Sequence, residues 1–478
     1  MMNKTNLLSL FTLLFICCHL IGSAQDIDTE KRAYKIEIIV EGIEDSVAYL
    51  GYYRGDKRYV LDTTSISNKG YMLFEDKKLI KTGVYFLYTG SYTMDFLIDR
   101  SLEFSLTTKR ETTYPDLSIE NCQDNEQFKA FQLVMINHQQ NMKELTSTLD
   151  STSVSSDTLR VRKRMSELNE LNTNKRDSLL QSFGDTYMSQ ILIMMAKSPE
   201  LEIDSDSLTM EQKKAQYNYY KDHFFDGIDF SSDGLIRAPN FYGKVREYIE
   251  RVTFQHPDSI IASIDYVLAK CESNPELFRF WMGTFFQEYQ NPKIMGMDKV
   301  FVHLSDNYYL NGKIDWADST LLAELEKEMK FQRENQIGLK APQIHLIDTL
   351  ENRTSLYDIK SDYMVLYFYD PDCGHCKKKT PVLYDLYKKM EGDFDVAAIT
   401  VGTDIKKWKD FIKKFDLKGW TNLGDPYYKS NFRVQYNVRS TPQVYIVDKD
   451  KKIIAKKLDV EQIENFISDR KRMDQLSQ

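Results

Sequence analysis

Apolar and polar side chains alternate from residue 34 onward in short runs: "YKIEIIVEGI", "SVAYLGYY", "YVLDTTSI", "GYMLFED", "GVYFLYTG" and "MDFLIDRSLEFSLTT". These runs are rich in β-branched and aromatic residues, and Gly, Asn and Asp break them at intervals suited to a sandwich or barrel. The pattern predicts a β-rich domain over residues 34–120. From 121 to 335 the spacing changes to three and four residues, as in "NEQFKAFQLVMINHQQNMKELTSTL", which predicts a helical domain. Pro199, Pro257 and Pro275 are placed to open helices, where a missing N–H costs little. The polar run "TSTLDSTSVSSDT" reads as an exposed loop between two helices.

From 337 to 478 the pattern becomes mixed α/β. The continuous apolar run "YMVLYFYD" predicts a strand buried on both faces. A helix follows through Met390, then the strand "FDVAAITVG", the helix "IKKWKDFIKKFDL", the hairpin "QVYIVDKDKKIIAKK" and a closing helix in "VEQIENFISDRKR". This is a βαβ unit followed by an antiparallel hairpin and a helix. A chain of 478 residues has room for three such domains.

Residues 1–24 read as a cleaved export signal. Lys4 supplies the positive start, Leu7 to Ile21 the apolar stretch, and Gly22, Ser23 and Ala24 the small residues before cleavage. A retained membrane anchor is the competing reading; Phe15 and Ile16 fit a lipid-modified Cys17 or Cys18 poorly. Export implies a periplasmic protein. The net charge of −8 argues against nucleic acid as a partner.

Six cysteines are present, and removal of the signal leaves Cys122, Cys271, Cys373 and Cys376. Cys122 and Cys271 lie far apart in sequence; a bridge between them and two free thiols are both open, with buried inert thiols the favoured reading. Cys373 and Cys376 form the CxxC of "DPDCGHCKKK" at a strand-to-helix junction. Unpaired N–H groups and the helix dipole stabilise negative charge there, and the thiolate is the attacking form of cysteine. Cys373 is thus the candidate nucleophile, Cys376 the resolving thiol, and His375 a side chain able to tune the potential. A zinc clip needs four ligands, and no second pair of Cys or His lies nearby; His345 stands apart, and His223 and His256 lack ligand spacing. No metal is therefore expected.

Residues 337 to about 470 resemble the thioredoxin superfamily, in particular its exported TlpA-type and cytochrome-maturation thiol–disulfide oxidoreductases. "IGLKAPQIHLID" is similar to the opening segment of that branch, and "VLYFYDPDCGHCKKKTP" to its active-site strand, motif and helix. Pro381 falls where the family kinks that helix. "RSTPQVYIVD" resembles the cis-proline loop, which implies a cis Thr441–Pro442 bond and a substrate-binding role for Ser440, Thr441 and Pro442. The resemblance implies a redox-active Cys373–Cys376 disulfide with no bound cofactor. It also implies protein thiols and disulfides as partners, an upstream thiol reductase at the inner membrane and a role in cytochrome c maturation. The upstream regions look like the N-terminal modules of multidomain Bacteroidota relatives.

Four positions depart from family habit. Asp372 replaces a frequent Trp and puts a negative charge beside the thiolate. Tyr367 stands where thioredoxins bury an acid, and Lys379 where some cytochrome-maturation reductases carry one. Asp370 replaces the threonine of peroxiredoxins, which disfavours a peroxidase. Two other functions stay open: a disulfide isomerase of the same fold, and a binding or assembly protein in which the thioredoxin-like domain is an accessory.

Overall fold

In the computed structural model, which describes residues 34–151, 155–202 and 208–476, the alternating run becomes eight strands. These are β1 (Tyr34–Glu41), β2 (Val47–Arg54), β3 (Lys57–Ser65), β4 (Tyr71–Asp76), β5 (Gly83–Tyr88), β6 (Thr93–Ile98), β7 (Glu103–Lys109) and β8 (Ser118–Glu120). They form two four-stranded sheets, ordered β4-β1-β7-β8 and β3-β2-β5-β6. Their alternate residues, among them Ile36, Ile38, Leu50, Phe74, Leu87, Phe96 and Leu106, fill one core, as strand periodicity requires. The run "MDFLIDRSLEFSLTT" is two strands on different sheets. The chain is turned between them by Asp124, whose carboxylate accepts the Arg100 N–H (3.1 Å) and the Ser101 N–H (3.4 Å). β1 and β7 pair in parallel, which strand runs alone did not disclose. The proposed signal, residues 1–24, lies outside the described residues.

The helical region supplies α1 (Gln123–Ser151), α2 (Ser155–Phe183), α3 (Tyr187–Met195), α4 (Met210–Asp222), α5 (Pro239–Glu247), α6 (Pro257–Lys270), α7 (Pro275–Gln290), α8 (Asp298–Leu304) and α9 (Ser319–Gln332). Pro257 and Pro275 open α6 and α7 as expected. Pro199 does not open a helix; it lies in the connection between α3 and α4. The run expected to be a loop is largely helix, since α1 continues to Ser151 and α2 begins at Ser155. The Thr146 and Thr148 hydroxyls donate to the Met142 and Glu144 carbonyls, both at 2.9 Å. Side chains that normally compete with a helix are thereby satisfied within it.

The chain divides into two compact units. One runs to Glu247 and takes in Ser273–Leu277; the other comprises Tyr248–Glu272 and everything from Phe278 onward. In the first unit Glu276 joins Lys81 (2.8 Å) and the buried Arg237 (3.0 Å) in an ion cluster.

In the second unit the C-terminal region forms a seven-stranded sheet. Its strands are β9 (His345–Ile347), β10 (Arg353–Ser355), β11 (Tyr363–Tyr369), β12 (Asp395–Thr400), β13 (Thr421–Gly424), β14 (Gln443–Asp448) and β15 (Ile453–Lys456), in the order β10-β9-β13-β12-β11-β14-β15. β11, β12 and β13 run parallel, and β14 is antiparallel to β11. All seven residues of β11 are buried, because both sheet faces are covered. One face packs with α10 (Gly374–Lys389), α11 (Ile405–Phe415) and α13 (Ile463–Leu476), and the other with the short α12 (Phe432–Gln435). No helix among the described residues is long and apolar enough to cross a membrane.

Candidate active site

β11 delivers the chain to a tight turn before α10. The Asp370 carbonyl accepts the Cys373 N–H at 3.0 Å, and the Asp370 carboxylate accepts the Asp372 N–H at 2.8 Å. This turn makes Cys373 the N-cap residue of α10, with extended backbone (φ −71°, ψ 123°), and its sulfur accepts the Cys376 N–H at 3.3 Å. A thiol here plays the part usually taken by a capping hydroxyl or carboxylate, so a negative sulfur is favoured at this position. Cys376, one turn in, is fully buried, while Cys373 is partly exposed.

The two sulfurs are free and differ sharply in acidity. Burial works against the Cys373 thiolate. Hydrogen bonds from the Cys376 thiol and amide, the Thr441 hydroxyl and the His375 amide outweigh it, and the Cys373 pKa falls below the usual thiol value. Burial raises the Cys376 pKa, and the adjoining Cys373 sulfur raises it further. Cys373 is thus the reachable sulfur and the one whose ionisation is favoured. The imidazole of His375 is exposed, and the part of this residue that acts on Cys373 is its backbone amide.

The Thr441–Pro442 bond is cis, and the Thr441 carbonyl accepts the Cys373 S–H at 3.3 Å. The loop expected from sequence to face the cysteines therefore does so through Thr441. The amide of Gln443 holds the loop from behind, donating to the Tyr436 (2.9 Å) and Asn437 (3.2 Å) carbonyls. Pro381 lies inside α10 without ending it.

The departures acquire partners. Asp372 was expected to set its charge against the thiolate, but it is bound to Lys407 of α11 at 2.7 Å. Lys407 belongs to the basic run of α11 and carries no signal in sequence, since its partner is 35 residues away. Both side chains are more than half exposed, so their coupling is screened by water and salt. Lys407→Ala will therefore raise the pH midpoint of Cys373 alkylation by only about a few tenths of a unit at low ionic strength, and salt of about 0.5 M will erase the difference. A midpoint unaltered at low salt would show that Asp372 does not act on Cys373. Lys379 pairs with Glu461 at 2.7 Å. Tyr367 is fully buried, and its hydroxyl meets that of Thr380 at 3.0 Å. Burial holds the phenol neutral, so a hydroxyl pair lies where a carboxylate was sought.

Cys122 and Cys271 are buried and free, as read from sequence; burial raises both pKa values, that of Cys271 to about 12. Among the described residues no cluster of three or more His, Cys, Asp or Glu side chains is placed to hold a metal.

Residues 361–453 match a family described as thioredoxin-like, and residues 206–332 match a domain family of unknown function, DUF5106. Among solved structures, the chain is similar to a domain of a possible thiol–disulfide isomerase from Cytophaga hutchinsonii. The identity is 33%, covering 29% of this chain and 96% of that one, with a TM-score of 0.28. It is also similar to a thioredoxin-like protein from Bacteroides caccae (16% identity, 57% of this chain and 98% of that one, TM-score 0.42). A third is a thiol:disulfide interchange protein from a Bacteroides species (26% identity, 28% and 92% coverage, TM-score 0.26). No curated protein matches the sequence.

Proposed function

This chain belongs, through its C-terminal domain, to the thioredoxin-like family, and from that premise we propose that it is a periplasmic thiol–disulfide oxidoreductase of the TlpA type, working as a reductant. The observation that carries the proposal is the asymmetry of the cysteine pair: a capped, partly exposed Cys373 whose ionisation is favoured, beside a buried Cys376 whose ionisation is not.

The Cys373 thiolate attacks one sulfur of a client disulfide. The client S–S bond breaks, its other sulfur leaves as a thiolate and takes a proton from water, and a mixed disulfide forms. Cys376 then gives up its proton and attacks the Cys373 sulfur, expelling the second client thiolate. Two electrons have passed to the client, and the Cys373–Cys376 disulfide remains. A second dithiol protein, here assigned to the inner membrane, returns it to the reduced state. The site residues are Cys373, Cys376 and His375, with Ser440, Thr441 and Pro442 lining the client. The chemistry needs no further cofactor. Clients are disulfides of exported proteins, those of cytochrome c maturation included.

The reduced full-length protein should reduce insulin with dithiothreitol as donor. Its potential should lie nearer about −270 mV than about −180 mV, the values that separate thioredoxin-like reductants from isomerases. The Gly374-His375 dipeptide, and the similarity to a domain of a possible thiol–disulfide isomerase from Cytophaga hutchinsonii, favour isomerisation as the second reading. A potential near about −180 mV together with rescue of scrambled ribonuclease would select it.

A further inference from the structure

Helix α9 closes the segment matched to the family of unknown function, yet two of its residues, Glu328 and Phe331, touch the loop that faces Cys373. Arg439, two residues before Thr441, reaches from that loop to α9. Its guanidinium donates to Glu328 at 2.7 Å and lies over the Phe331 ring at 4.4 Å. On its own side it donates to the Asn437 carboxamide at 2.6 Å. Asn437 is buried and holds a left-handed backbone (φ +47°), a conformation that needs support from its surroundings. Just beyond α9, the Asn335 amide donates to the Gln435 carbonyl at 3.0 Å. Asn335 is itself fixed, because the buried Lys456 ammonium donates to its carbonyl (3.0 Å) and its side-chain oxygen (3.2 Å). Gln332 donates to Glu328 at 2.8 Å and orients it toward Arg439.

We infer that α9 is a working part of the redox site: Glu328 and Phe331 are positioning residues that, through Arg439, hold the cis-proline loop where Thr441 can face Cys373 and receive a client. The inference rests on the redox reading above. It assigns the end of the DUF5106 segment a task in the redox site, added to the hold that Gln443 has on the same loop. The stacked ring rather than the ion pair should dominate, because Glu328 and Arg439 are partly open to water and their attraction is screened. For the same reason lysine is a poor substitute for Arg439, since it keeps the charge but has no planar face to lay on Phe331.

The test uses the full chain with Phe331→Ala, Glu328→Ala, Arg439→Ala and Arg439→Lys, and Lys327→Ala as a control on α9 whose partner is Glu324. Three quantities are measured: KM and kcat for insulin, the pH midpoint of Cys373 alkylation by iodoacetamide, and the melting temperature. Displacing a loop of this kind should raise KM about tenfold in Phe331→Ala and Arg439→Ala, with a smaller rise in Glu328→Ala. The alkylation midpoint should move up in the same order, Arg439→Lys should fail to restore either quantity, and Lys327→Ala should match wild type. KM and midpoint at wild-type values in Phe331→Ala and Arg439→Ala would overturn the inference. If Phe331→Ala does not fold, Glu328→Ala and Arg439→Lys, which alter only partly exposed polar groups, decide it by the same readouts. If wild type does not reduce insulin, the functional reading fails. The alkylation midpoints still decide whether α9 positions Thr441.

Discussion

Replacing Cys373 with alanine will abolish disulfide reduction, while replacing Cys376 with alanine will leave a chain that captures clients and does not release them. The first variant loses the attacking sulfur, and loss of a nucleophile typically costs at least about a thousandfold in rate. The second loses the hydrogen bond from the Cys376 thiol but keeps Cys373 as the cap of α10, with the Cys376 and His375 amides and the Thr441 loop still against its sulfur, so the first half of the exchange survives. What it lacks is the buried thiol that breaks the mixed disulfide. Non-reducing gels of the exported protein fraction should therefore show high-molecular-weight adducts for Cys376→Ala that vanish with dithiothreitol, and none for Cys373→Ala. The reverse pattern would mean that the buried sulfur attacks first, against the burial of the pair. Wild-type insulin reduction by a chain lacking both sulfurs would remove the redox function altogether and leave a binding or assembly role.

The parts of this site that sequence discloses are those set by local rules. β11 could be read because a strand covered on both faces needs seven apolar residues in a row, and Cys373 because the junction of that strand with α10 fixes it as a cap. Thr441 and Pro442 came from motif resemblance, since nothing local requires a residue 68 positions away to reach Cys373. The contacts that were not legible join distant residues of ordinary type. Lys407 looks like one of many lysines on a solvated helix until Asp372 is beside it. Glu328 and Arg439 are 111 residues apart and carry no spacing signal. The polar run after Thr146 misled for a physical reason: Ser and Thr favour turns when their hydroxyls find backbone outside a helix, but here they bond to carbonyls within it. The parallel pairing of β1 with β7 joins strands more than 60 residues apart within one sheet, which no single strand encodes.

Asp298→Ala will destabilise the second unit by about 3 kcal/mol at neutral pH, because it leaves a buried ammonium without its counter-charge. Lys456 lies at the end of β15 with 5% of its surface exposed, and its three acceptors are Asp298 and the two oxygens of Asn335. Burial lowers the Lys456 pKa and the Asp298 carboxylate partly restores it. Without Asp298 only neutral oxygens remain, and desolvation of the charge is no longer offset. The pH dependence has a definite sign. A lysine with a depressed folded pKa is protonated more readily in the unfolded chain, so its cost to stability is fully present below the folded pKa. The cost falls as pH rises toward the unfolded value, about 10.4. Asp298→Ala lowers the folded pKa further, so the deficit relative to wild type should be largest near neutrality and shrink toward about pH 9.5. Lys456→Met should cost less than Asp298→Ala, since it removes the deeply buried charge and fills the space with an apolar chain, leaving Asp298 closer to water. Calorimetric melts at both pH values measure this: a loss of about 3 kcal/mol should appear as a melting point roughly 10 °C lower for a unit of this size. A deficit that is equal at the two pH values would show that the ammonium is not the source. A deficit under about 1 kcal/mol would show that Asn335 alone satisfies it.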